Sequence, residues 1–215
     1  SGKNTHLALD YGPTVRALLA IDGFPRQPRF ERGELRINTG AAKMPERPGL
    51  AVIMRLPRWN LDLASLSAGK EATGSKQKQL PPTASHRSAT LGWAFLHSVD
   101  AQIDDLLIGG RSLATVHLHA IPQESGLRID CDGQALAGSL TLPAEPTPEQ
   151  PWQIALERLH IGPPTDSKAE ADKAPFADAD PRRLPPLTLT IADLRADQAS
   201  LGQLKLIAKR RLISA

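Results

Sequence analysis

Apolar side chains recur at every second position in one short segment after another, and that period restricts the chain to β-strands with one face buried. In Gly49-Leu50-Ala51-Val52-Ile53-Met54-Arg55-Leu56 the set Leu50, Val52, Met54 and Leu56 falls on one face, and Trp59, Leu61 and Leu63 alternate with Asn60 and Asp62 just beyond Pro57. The same reading takes Val99, Ala101 and Ile103 against Asp100, Gln102 and Asp104, then Val116, Leu118 and Ala120 against His117 and His119. Leu127, Ile129 and Cys131 face away from Arg128, Asp130 and Asp132, Gly133 turns the chain, and Leu136, Gly138, Leu140 and Leu142 follow. Near the end Leu187, Leu189 and Ile191 alternate with Thr188, Thr190 and Ala192. A polar face on every strand predicts antiparallel pairing, because strands of a parallel sheet are apolar on both faces. Helical spacing is confined to Thr14 through Ile21, where Val15, Leu18 and Leu19 share a face, and to the first turn after Asp62.

Between the strands lie two segments with no apolar period: residues 67–90 and 163–183, both polar and rich in Pro, Ser and Ala, which predict long mobile loops. The 19 Pro and 16 Gly suit many short strands joined by turns and oppose a helical bundle, whose backbone ladder Pro breaks. The expected fold is therefore all-β: an elongated, twisted antiparallel sheet with short helices and long polar loops. Its parts are an N-terminal β segment (1–66), a linker (67–90), a central β repeat (91–162), a loop (163–186) and the start of a further repeat (187–215).

An internal repeat supports growth of the sheet by addition. Residues 99–120 align without a gap to 187–208 at an offset of 88, with Ile103/Ile191, Asp105/Asp193, Leu106/Leu194, Ser112/Ser200, Leu113/Leu201, Leu118/Leu206 and Ala120/Ala208 identical. Each copy reads as strand, turn, strand.

Clustered polar chemistry of the kind an enzyme needs is not found. His117 and His119 share a strand face but have no third ligand at a telling spacing, so solvation of a polar face explains them better than zinc. Residues 69–76 imitate a phosphate loop until Ser75-Lys76, where Lys-Ser or Lys-Thr is required, and no strand precedes them. Gly110-Arg111-Ser112-Leu113-Ala114 lacks the last glycine of a hydrolase elbow. Asp178-Ala179-Asp180 reads as solvated, Asp104-Asp105 as shaping a turn, and Cys131 as a buried thiol in phase with Leu127 and Ile129. No catalytic residue, metal ligand or cofactor site is assigned.

Charge narrows the partners. Twenty-six basic and 23 acidic residues leave a net +3, with no basic face for nucleic acid. One cysteine permits no internal disulfide, as in a reducing compartment or in an exported protein that does without them. No stretch approaches the ~20 apolar residues of a membrane-spanning helix. The opening Ser1-Gly2-Lys3, without an initiator Met or signal peptide, fits an excised piece of a longer protein.

The stretch LTLTIADLRADQASLGQLKLIA (187–208), with Leu106-Leu107-Ile108-Gly109-Gly110-Arg111-Ser112-Leu113, resembles the repeated pattern of the YhdP proteins, AsmA-like proteins of Gram-negative bacteria. So do Leu9-Asp10-Tyr11-Gly12, the element 31–40 followed by Met44-Pro45 and Pro48-Gly49-Leu50, and the run Leu136 to Pro143. The resemblance implies a sheet curled into an open hydrophobic groove, in a periplasmic protein tethered to the inner membrane by an anchor outside this segment. It further implies a non-enzymatic conduit or scaffold for phospholipid passing to the outer membrane, with phospholipid, and envelope proteins besides, as partners. The lining would then be the apolar faces of Val99, Ala101, Ile103, Val116, Leu118, Leu127, Ile129, Leu140, Leu187, Leu189, Ile191, Leu204 and Leu206. Periodicity alone favours a filled β-sandwich serving adhesion or protein interaction, whose core these residues would fill, and only the resemblance turns the reading toward a groove.

Overall fold

Alternating segments fold as strands wherever a neighbour pairs with them, and the alternation decides which side chains share a face. The computed structural model describes residues 5–23, 28–61, 95–163, 185–197 and 199–209. They form β1 (Thr5–Tyr11), β2 (Val15–Asp22), β3 (Arg29–Ile37), β4 (Gly49–Leu56), β5 (Trp59–Leu61), β6 (Leu96–Ile103) and β7 (Leu106–Ile108). Then follow β8 (Arg111–Ser112), β9 (Val116–Gln123), β10 (Gly126–Gly133), β11 (Leu136–Pro143), β12 (Trp152–Ile161), β13 (Leu187–Ala196) and β14 (Ala199–Ala208). Eleven of them make one twisted sheet in the order β1-β2-β3-β4-β6-β9-β10-β11-β12-β13-β14, and β5-β7-β8 make a second, small one. The all-β architecture expected from the period is thus present.

Two expectations are corrected. Thr14 to Ile21 is not helical; it is β2, hydrogen-bonded to β1 on one side and β3 on the other. Apolar residues occupy both of its faces, which mimics helical spacing, but strands flanking it on both sides satisfy its backbone as a ladder. The sheet is also mixed: β3 with β4, β4 with β6, and β12 with β13 run parallel. Parallel neighbours need a crossover connection. The polar stretches 67–90 and 163–183 fall within the connections of the second and third parallel joints, and the linker, nearly all of that loop and the helical turn after Asp62 lie outside the described residues.

The first crossover, residues 38–48, returns across the sheet and is pinned by Glu34, a buried carboxylate. Its Oε1 accepts the Lys43 backbone N–H at 2.9 Å and a hydrogen bond from Arg36 Nε. Charge-assisted bonds of this kind are what a buried carboxylate requires.

The two repeat copies share one register. Val99 pairs with Ala120, Ala101 with Leu118 and Ile103 with Val116; adding 88 gives Leu187 with Ala208, Leu189 with Leu206 and Ile191 with Leu204, all observed. They differ in the residues between. In the first copy these peel away as β7 and β8, closed by the two-residue turn Gly109-Gly110 with φ of 57° and 73°. In the second, the hairpin continues with two register shifts.

The main core lies where the small sheet packs on the large one: Ile103, Leu106, Leu113, Val116, Cys131, Leu136, Leu156 and Ile191. Asp105 holds that corner, accepting from Ser112 Oγ at 2.6 Å and from Arg58 Nε at 2.9 Å. Its repeat partner Asp193 instead lies on β13 and bonds His160 at 2.8 Å. Both are structural, but the role is not repeated.

Candidate functional site

Cross-strand partners lie on the same face of a sheet, so the pairings can be followed from one edge to the other. One row runs Leu9, Ala17, Leu35, Val52, Val99, Ala120, Ile129, Leu140, Ile154, Leu189 and Leu206. Two residues along each strand a second runs Tyr11, Val15, Ile37, Met54, Ala101, Leu118, Cys131, Gly138, Leu156, Ile191 and Leu204. Neither contains a charge or an amide side chain. At ~4.8 Å between strands, the ten intervals give each row a length of roughly 48 Å. The result is a continuous apolar face whose long axis crosses the strands.

All thirteen residues expected to line the groove lie on this face. Val99, Leu118, Ile129, Leu140, Leu187 and Leu189 are half-buried, while Leu204 and Leu206, on the edge strand, are 37% and 46% exposed. Ala101, Leu127 and Ile191 are buried. Ile103 and Val116 are sealed completely, at 0% exposure, by the small sheet. These two belong to a wall along one margin of the groove, not to its open surface.

The face also extends beyond those thirteen. Leu9, Tyr11, Ile37, Val52 and Met54 carry it across β1 to β4, and Ile154 and Leu156 across β12. Alternation in Leu7, Leu9, Tyr11 and in Trp152, Ile154, Leu156 was the available signal. On β12 it is interrupted by a register shift opposite Ala137/Gly138, after which Leu159 faces Leu136 and rejoins the apolar face.

The opposite face is polar. Its row reads Asp10, Arg16, Arg36, Ile53, Asp100, His119, Asp130, Ser139, Ala155, Thr190 and Lys205. A hollow of about 500 Å³ on this side is lined by Asp100, His117, His119, Asp130 and Asp132 among others. Its polar groups are partnered locally: His119 is hydrogen-bonded to Asp100, and Arg128 pairs with Asp130. Among the described residues no group of three or more His, Cys, Asp or Glu is placed to hold a metal ion. Ser112 Oγ is engaged by Asp105 and by the Ala114 N–H, so it shapes a turn. Residues 69–76 and 178–180 lie outside the described residues. No described helix is long and apolar enough to cross a membrane.

Cys131 lies in the second apolar row. Burial, with a smaller push from the Asp130 charge, raises its thiol from 9.0 to about 11. Below pH 9 the folded and unfolded chains both hold the proton and this contribution to stability is complete. Above pH 9 the unfolded chain ionises first, so stability falls as pH rises toward 11. The parent should therefore lose on the order of 1–2 kcal/mol more than Cys131→Ala over that window, measured by urea unfolding. Equal losses would place the thiol in water.

A family model described as YhdP protein matches residues 1–212. No curated protein and no solved structure matches the chain.

Proposed function

The chain belongs to the YhdP family, and from that footing we propose that it is a non-enzymatic segment of a lipid conduit, carrying phospholipid between the inner and outer membranes of a Gram-negative bacterium. The observation that carries the reading is the pair of unbroken apolar rows crossing all eleven strands of the large sheet. Each lipid methylene withdrawn from water onto such a surface contributes about 0.8 kcal/mol. Along the first row one Leu, Ile, Val or Ala succeeds another, so contact energy changes little as a chain slides, and no charged side chain in either row would arrest it. A phospholipid would rest its tails on the rows and keep its headgroup at the open margin, away from the β5-β7-β8 wall. In this reading the segment works in the periplasm, tethered through an inner-membrane anchor elsewhere in the protein.

The filled sandwich has one observation in its favour, the sealed cluster around Ile103, Leu113 and Val116. Three short strands form its second layer, against eleven in the first. Among the described residues the rest of the apolar face has no second sheet upon it.

Native mass spectrometry of the purified chain tests the proposal. The parent should retain phospholipid, and Val99→Asp, which puts a charge in the middle of the first row, should lose most of it while keeping the strand signal in circular dichroism. A parent that carries no phospholipid and takes none up from vesicles would overturn the conduit reading.

A further inference from the structure

Trp152 opens β12 on the apolar face: it lies opposite Leu187 and two residues before Ile154 of the first row. That places it one step further from the β5-β7-β8 wall than the first row, at the margin where the phospholipid of the proposed function keeps its polar end. Its backbone N–H donates to the Pro186 carbonyl at 2.8 Å, which fixes the start of the strand against β13.

The indole carries an unmet requirement. Its ring is half-buried, yet Nε1 is buried and has no acceptor within hydrogen-bond distance among the described residues. A buried indole N–H normally finds a partner, and one left without costs free energy that an arriving acceptor recovers. The indole nitrogen offers a donor and nothing else, so the matching ligand group is an acceptor. Because the nitrogen is shielded from water, that acceptor must give up its own hydration. A charged phosphate resists this strongly. A neutral ester carbonyl resists it little, and it is the first acceptor met beyond the hydrocarbon of an acyl lipid. The open part of the ring can rest on the lipid, and a turn about its two side-chain torsions brings the N–H to the carbonyl without breaking backbone pairing.

We infer that the Trp152 Nε1–H donates a hydrogen bond to an acyl ester carbonyl of the bound phospholipid, and so sets how far the tails lie across the apolar rows. The inference rests on the lipid-conduit reading and adds to it one polar contact at the margin. A single neutral hydrogen bond is worth about fivefold in affinity, enough to favour one depth as a lipid passes β12 without arresting it.

Native mass spectrometry with equal amounts of the diester and diether forms of one phosphatidylethanolamine, matched in chain length, provides the test. The ether linkage keeps the phosphate and removes the carbonyls. The parent should hold the diester about fivefold in excess of the diether. Trp152→Phe, which keeps an aromatic ring and loses the donor, should hold the two equally, and Trp152→Leu repeats the comparison without a ring. A parent that holds both forms equally, or a preference for the diester that survives in either variant, would overturn the inference and leave the conduit reading standing. A parent that holds neither form would overturn the conduit reading and the inference with it.

Discussion

Ile103→Asp should abolish the cooperative melting transition, while Val99→Asp, on the same strand and the same face, should lower the melting temperature by only a few degrees. Ile103 is fully enclosed between the large sheet and β5-β7-β8, so a carboxylate there is buried without a partner. That costs several kcal/mol, a large part of the 5–15 kcal/mol that stabilises a typical domain. Val99 is half-buried in the open part of the face and lies outside the sealed cluster. A carboxylate there stays hydrated, and the loss is about 1–2 kcal/mol from strand preference and partial burial. Circular dichroism melts of the two variants make the comparison. Equal collapse of both would mean that the whole apolar face is a closed core, as in a filled sandwich.

Gly138→Ala is the second large effect. Gly138 has φ of +144°, a region L side chains rarely enter, and an added Cβ would stand 2.3 Å from the Ala155 carbonyl oxygen and 2.6 Å from the Leu156 Cα. Those are backbone atoms of the neighbouring strand and cannot swing aside. The register shift between β11 and β12 falls at this residue, so relieving the clash would push β12 away and with it Ile154, Leu156 and Leu159. A loss on the order of 3 kcal/mol or more is expected in urea unfolding. Gly12→Ala is the control: φ is +58° with nothing within 4 Å of the added Cβ, and only the backbone cost of about 1 kcal/mol applies. Similar losses for both would show that the approach of β12 is not tight.

Strands with a strict apolar and polar alternation were legible because each has one solvated face. β6, β9, β10, β11 and β13 are of this kind, and eleven of the thirteen expected residues lie on them, with Leu204 and Leu206 on β14. β2 was misread because Ala17, Leu18, Leu19 and Ala20 are apolar in succession, and a run without a polar phase fits both periods. Its identity is settled by β1 and β3, which no local pattern encodes. The parallel joints were likewise invisible, since strand direction depends on where the connection returns. A trace of them was nevertheless present in the long polar stretches, which fall where crossovers are needed. The seal over Ile103 and Val116 depends on β7 and β8, of three and two residues. Strands that short leave too little alternation to read, although Gly109-Gly110 marked their turn. The thirteen residues share one face of the sheet, while the division of that face into an open part and a sealed wall required the second sheet.

Photo-crosslinking along β11 tests the central claim most directly. Leu140 and Leu142 face the groove and Ser139 and Thr141 face away, on one strand and within a few residues of each other. With a benzophenone amino acid introduced at each position in turn, purified chain bearing phospholipid should crosslink it at 140 and 142 and not at 139 and 141. Equal labelling at all four positions, or labelling at none, would contradict a lipid groove on the apolar face.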